Sequence, residues 1–263
     1  MGELVRQTIR IEWKAVLGWT LSMIALVLAI VAFFPSIKGN AALTDSFGGL
    51  PPSVQAAFGI ADLSSAAGYL QGQMFSTLAP LIFLSFAIGR GARAIAGEEE
   101  RGTMDLLLSN PIRRSRVVLE KGAAILIELV ALGLILWLAL VILGPPFDLH
   151  VGVGKLAAAT VSVAALGGLY GAIALCLSGA TGHRALSLGI TAGLAGAGYL
   201  YTAIAPFVSG LSKHPGISPF QHGYGFDPLT NGMHWGNFLA LIIGAAVFVA
   251  GGVILFDRRD VRA

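Results

Sequence analysis

Residues Arg90–Lys121 read RGARAIAGEEERGTMDLLLSNPIRRSRVVLEK, a charged stretch set between two long apolar runs. A chain that is apolar for a bilayer's thickness on both sides of such a stretch must leave it at a membrane face. Within it lies a short apolar segment around Met104–Leu108. A small helix with apolar side chains, held among charges on an accessible membrane face, has the character of a docking element rather than a catalytic site.

Working outward, the composition is that of an integral membrane protein: 56% of 263 residues are apolar and only 12% are charged. A helix needs about 20 apolar residues to cross ~30 Å of hydrocarbon. Six windows qualify, at 15–34, 70–89, 122–144, 156–180, 185–207 and 237–256. The polar intervals, at most about 40 residues, are too short for an independent soluble core. The expectation is an all-α integral membrane protein with one transmembrane domain over 1–263.

Basic residues set the orientation. With six spans both termini share a side, and that side holds fourteen Lys and Arg, among them Arg6, Arg10, Lys14, Arg90, Arg101, Arg113, Arg114, Arg116, Arg184 and Arg258. The other side holds three, Lys38, Lys155 and Lys213. Both termini are therefore expected in the cytoplasm. The basic balance reads as topology and attraction to anionic lipid, not nucleic-acid binding. Arg outnumbers Lys twelve to five amid abundant Gly and Ala, a bias of GC-rich bacterial genomes that points to a bacterial inner membrane. The first apolar run exceeds a signal peptide's core, and Pro35–Lys38 offers no small-x-small cleavage site, so it is expected to remain as a span.

Residues 3–14 place Leu4, Thr8 and Ile11 on one helical stripe, with Arg6, Arg10 and Lys14 around it and Trp13 at interfacial depth. An elbow helix lying on the surface is expected; the alternative is that span 1 begins early. In the connection 35–69, Pro51-Pro52 can open a short helix over 53–58. The connection 206–236, rich in Pro and aromatics, suits half-inserted structure. Gly167-x-x-x-Gly171 and Gly189-x-x-x-Gly193 each give a small face for a neighbouring helix, within the chain or in a second copy.

In the opening stretch, Thr103 is a good N-cap and Asp105 suits the first turn. Met104, Leu107 and Leu108 then share one stripe, facing either a partner's groove or the membrane and neighbouring helix ends. Asn110 can cap a second helix with Pro111 at its first position, continuous with span 3. At 1.5 Å per residue, 111–144 spans about 50 Å, so its first third stands outside the bilayer.

These residues resemble the loop after span 2 in type-2 permeases of ATP-binding-cassette (ABC) exporters. The pattern falls on Glu100, Gly102, Thr103, Asp105, Leu107, Leu108, Pro111, Arg114 and Lys121. Leu50-Pro-Pro with Ala57–Gly59, Ser218–Phe220 with Asp227–Leu229 and Gly232-x-x-Trp235, and Phe256–Asp260 are similar to the family too. The resemblance implies a permease that pairs with a second copy or a paralogue and with two copies of an ABC ATPase subunit. The loop after span 2, Met104 included, would be a cytoplasmic coupling helix. ATP and Mg would bind the partner ATPase; no cofactor is expected on this chain. In keeping with that, Gly152-Val-Gly-Lys155-Leu lacks the first glycine and the Ser/Thr of a phosphate loop.

Glu128 is the acidic residue well inside a span, a costly place. It is read either as a structural ion pair, possible with a basic residue of the elbow, or as part of a substrate path. An ion-coupled secondary transporter using Glu128 is the alternative to ATP-driven export; a membrane-embedded enzyme has no supporting constellation. His214, His222 and His234 share one loop at spacings that match no compact ligand pattern, so no metal site is expected. Cys176, the only cysteine, excludes an internal disulfide. Apolar, Gly-rich spans suit a hydrophobic or amphipathic cargo such as a drug, an antibiotic or a lipid-like molecule.

Overall fold

The computed structural model describes residues 3–40, 49–51, 54, 65–102 and 113–259. Among these residues six helices are long and apolar enough to cross a membrane: span 1 Trp13–Lys38, span 2 Ala66–Ala94, span 3 Arg114–Leu143, span 4 Val153–Thr181, span 5 Arg184–Phe207 and span 6 Trp235–Arg258. Among the described residues there are no strands. The face bearing residues 95–102, with the starts of spans 1, 3 and 5 and the ends of spans 2, 4 and 6, is called the charged face below.

Span 1 belongs to one uninterrupted helix, Glu3–Lys38. Its 36 residues measure about 54 Å, well beyond ~30 Å of hydrocarbon. Residues 3–14 are thus continuous with span 1 rather than a separate element. Span 3 also differs from expectation. Its helix begins at Arg114, because Arg113 is extended (φ −66°, ψ 138°) and breaks the continuity expected from Pro111. Most of 53–58 and all of 103–112 lie outside the described residues.

Span 4 is the centre of the bundle: 78% of its apolar window is buried, against 17% for span 5 and 11% for span 6. Its glycines explain why. A Cβ on Gly167 would stand 3.0 Å from the Phe83 Cβ, and one on Gly171 would stand 3.1 Å from the Ala87 Cβ. On span 2, a Cβ on Gly91 would overlap the Gly171 carbonyl oxygen and come within 2.8 Å of the Ala174 Cβ. Without side chains at these points, two backbones approach closely and gain dispersion contacts along their length. Gly189 and Gly193 behave differently, since a Cβ added to either would meet no packed neighbour within 4 Å. One small-residue motif is spent inside the chain, and the other is open on span 5.

On the far face, span 2 starts as Ala66–Leu70, capped by Ser65, whose hydroxyl accepts from the Gly68 N–H at 3.1 Å. It then widens into a π-helix over Gln71–Leu78. Tyr69 donates to the Ile30 carbonyl at 2.8 Å, and Gln71 Nε2 donates to the Tyr224 carbonyl at 3.1 Å. Tyr224 belongs to the connection between spans 5 and 6, which folds back as short turns, Pro215–Ile217, Gln221–Gly225 and Pro228–Asn231. Phe220, buried, has the rings of Tyr170, Tyr199 and Tyr224 around it, with centroids 5.7–6.1 Å away. Ser218 donates to the Gly198 carbonyl at 2.8 Å and fixes the start of this segment on span 5.

The glycine contacts predict unequal tolerance. Gly91→Leu should lower the unfolding midpoint of the detergent-purified protein, with overpacking costing about 1–3 kcal/mol or more, or abolish its monodisperse yield. Gly193→Leu should leave the midpoint of the single chain unchanged. Thermal unfolding monitored by size-exclusion retention distinguishes the two.

Candidate functional site

Span 2 ends at Ala94, the chain bends at Ile95 (φ −115°, ψ −58°), and one further helical turn, Ala96–Glu100, follows. A bend strips backbone N–H groups of helical partners, and a buried orphan is costly. Ser178 of span 4 solves this. Its hydroxyl oxygen accepts from Ile95 N at 3.3 Å and Ala96 N at 2.9 Å, and it donates to the Ala92 carbonyl at 3.1 Å. That uses its one donor and two acceptor sites, and the side chain is fully buried. Gly179 beside it leaves room for Ile95, whose Cδ1 would stand 3.2 Å from an added Cβ.

The turn carries three consecutive glutamates, each engaged by a different span. Glu98 Oε1 accepts from Lys121 Nζ at 3.0 Å, reaching span 3. Glu99 is paired with the Arg259 guanidinium, just past the end of span 6. Glu100 Oε1 accepts from the Arg184 backbone N–H at 3.0 Å, the first residue of span 5. There the carboxylate meets both an unsatisfied N–H and the positive end of a helix dipole. Gly182 closes span 4 at φ +67°, and a Cβ on it would overlap the Glu99 carboxylate. Arg101 Nε donates to the Gly97 carbonyl at 2.9 Å, closing the turn on itself.

Gly102 leaves this turn at φ +66°, a conformation that glycine alone adopts without strain. The chain returns at Arg113, and Arg114 is anchored immediately. Its guanidinium donates to the carbonyls of Phe256 and Arg259 and lies 5.8 Å from the Phe256 ring centroid, with the Arg259 guanidinium at 5.9 Å. These are carbonyls at the negative end of span 6, where cations are favoured. The loop 103–112 therefore departs from a base tied to spans 3, 4, 5 and 6.

Deeper in the membrane, Arg90 holds Glu128 in a fork. Nε donates to Oε2 at 2.8 Å and Nη2 to Oε1, with both side chains almost wholly buried. A two-point guanidinium–carboxylate pair is the strongest way to carry opposite charges into low dielectric. The partner of Glu128 is thus a span 2 residue rather than a basic residue of 3–14.

Of the residues singled out in the sequence, Glu100 is held at the start of span 5, Arg114 at the end of span 6, and Gly102 marks where the chain leaves the turn; no contact joins the three. Thr103, Met104, Asp105, Leu107, Leu108 and Pro111 fall outside the described residues. Sequence reasoning passed over Glu98, Glu99, Ser178 and Arg259; the available signal was three adjacent acids opposite helix ends that carry Lys121, Arg184 and Arg259. On the far face, His222 lies between Asn237 Oδ1 (2.9 Å) and the Gly216 carbonyl (3.0 Å), and His234 accepts from Asn237 N at the start of span 6. Among the described residues no three His, Cys, Asp or Glu side chains converge as a metal site would require.

Residues 6–261 match the family described as ABC-2 family transporter protein, and the chain belongs to that family. No curated protein matches it. The chain is accordingly an ABC transporter permease, a membrane subunit of a kind that lacks its own ATP-binding domain and generally works with an ATPase subunit.

Removing one member of the buried pair should be worse than removing both. Arg90→Met leaves an uncompensated carboxylate and should cost about 3–5 kcal/mol, whereas Arg90→Met with Glu128→Leu should recover most of that loss. The coupling energy is read from unfolding midpoints of the two single variants and the double variant.

Proposed function

We propose that this chain is the membrane half of an ATP-driven exporter, and that the loop Thr103–Asn110 is its coupling helix. In this reading Met104, Leu107 and Leu108 form the apolar knob that seats in the ATPase, while Thr103 and Asp105 set the start of that helix. The observation that carries the proposal is the base of that loop. A segment that receives force from a partner must be stiffly joined to the helices it moves. Here Glu98, Glu99 and Glu100 join it to spans 3, 6 and 5, and Arg114 joins its return to span 6.

Two ATPase copies, each binding ATP and Mg, would work with two permeases, either two copies of this chain or this chain and a paralogue. The open Gly189 and Gly193 face of span 5 supports a second permease. The fourteen-to-three distribution of basic residues supports a charged face in the cytoplasm, as for an exporter of the bacterial inner membrane with both termini inside. Apolar span interiors support a hydrophobic or amphipathic cargo. Ion-coupled transport is the weaker reading, because both oxygens of Glu128, the acid it would use, are engaged by Arg90.

The test is reconstitution with the ATPase encoded beside this chain. Leu107→Asp and Gly102→Pro should leave membrane insertion intact but abolish co-purification of the ATPase, or its stimulation by permease. Glu99→Gln with Glu100→Gln should keep the ATPase bound while lowering transport per ATP hydrolysed. Wild-type turnover and transport in Leu107→Asp would sink the coupling assignment.

A further inference from the structure

Between Gln71 and Ala94, span 2 is open on one side. The residues left exposed or half-exposed recur at every fourth position, Gln73, Thr77, Leu81, Ser85, Gly89 and Arg93, with half-exposed Leu78 and Ile82 beside them. A helix face turned to acyl chains is normally apolar, and polar or ionisable groups within a span face a protein neighbour or a polar path. Here Gln73, Thr77 and Ser85 can hydrogen-bond, and Arg93 is charged.

Arginines near the end of a span ordinarily extend toward headgroups and water. Arg93 runs the other way. Its Nε donates to the Gly89 carbonyl at 3.0 Å, one turn back into the span, and a Cβ on Gly89 would stand 3.9 Å from its Nη2. Among the described residues none accepts from its two terminal nitrogens. Span 2 has 29 residues, or about 40 Å, so it passes ~30 Å of hydrocarbon by about 5 Å at each end. Gly89, five residues before the end of the span, therefore lies close to the level where headgroups give way to acyl chains.

Two more cations stand beside Arg93. Arg101 folds back toward it: a Cβ on Gly97 would stand 3.4 Å from the Arg93 Cβ and 3.5 Å from the Arg101 Nη2. The charge of Arg184, the first residue of span 5, also acts on Arg93, as do those of Arg101, Arg90 and Glu128. Arg90 and Glu128 neutralise each other in their fork, as Lys121 does Glu98 and Arg259 does Glu99. Neither Arg101 nor Arg184 has an ion pair among the described residues. Three guanidinium groups against the single carboxylate of Glu100 leave the cluster net positive.

Guanidinium groups favour phosphate, which they can hold at two points. Depth decides where that phosphate comes from. A soluble phosphate would have to leave water to reach the level of Gly89, whereas a lipid phosphate already lies next to it. A second copy brings no free carboxylate there, because Glu128, the acid well inside the spans, is held by Arg90. We propose that Arg93, Arg101 and Arg184 bind the phosphate of an anionic amphiphile from the charged-face leaflet, with its tail against Leu81 and Ile82. The site needs neither ATP nor a partner subunit, so it stands or falls apart from the transport reading.

Native mass spectrometry of the intact chain in detergent tests it, with dioleoyl phosphatidic acid and dioleoyl phosphatidylcholine titrated in parallel. The expected result is one phosphatidic acid per chain at concentrations where phosphatidylcholine does not bind. Arg93→Gln should weaken that binding roughly fivefold, the effect of one basic residue near a membrane surface. Arg184→Gln, at an exposed position, should do the same and carries the test if Arg93→Gln fails to fold. Arg116→Gln removes the same charge from the same face outside the cluster and should leave binding unchanged. Equal binding of the two lipids, or equal weakening by all three variants, overturns the proposal. So does displacement of the lipid by equimolar glycerol 3-phosphate, which would assign the cluster to a soluble phosphate. A dimer lost in Arg93→Gln with no lipid bound also overturns it and gives this face to a second copy.

Discussion

Span 2 and span 4 approach at Gly91 and Gly171 until a carbonyl of one occupies the space where a side chain of the other would stand. In hydrocarbon no hydrophobic effect drives helices together, so the attraction rests on dispersion across close backbones. That contact fixes the depth and rotation of one span against the other. It is what puts Ser178 opposite Ala92, Ile95 and Ala96, where one hydroxyl meets all three hydrogen-bonding needs of the bend. The bend aims the three glutamates, and through them the departure of the loop after span 2. The chain of dependence runs from missing side chains in the membrane to charged groups at its surface.

The charged face uses its ion pairs for position more than for stability. Glu98 with Lys121 and Glu99 with Arg259 are largely buried pairs, and such pairs gain little net free energy after desolvation. They bring direction instead. A carboxylate on the first N–H of span 5 and a guanidinium on the last carbonyls of span 6 complement the helix dipoles there. Each clip therefore has one sensible partner, and the ends of four spans are gathered around one turn.

The six spans were legible because length and hydropathy decide them almost alone, and the structure moves their ends by up to eight residues, most at the start of span 3. The family was legible in the motif of the loop after span 2. Other features were not, because they depend on distance in space. The partner of Glu128 is 38 residues away on another span, and no local pattern names it. The helix start was placed at Pro111 on capping logic, yet Arg113 is extended and Arg114 is drawn to the end of span 6; a tertiary contact outweighed a local preference. The two glycine motifs look alike in sequence, and only the packing of span 2 separates the buried one from the open one.

The three adjacent glutamates carry a consequence for how this segment can vary. Consecutive residues on a helical turn point about 100° apart, which is why Glu98, Glu99 and Glu100 can each address a different span. Exchanging one of them disturbs one clip and leaves the other two in register. Inserting or deleting a single residue between Ile95 and Glu98 rotates all three at once and hands every carboxylate to the wrong neighbour. The turn is thus a reading frame in three dimensions, tolerant of spelling changes and intolerant of shifts.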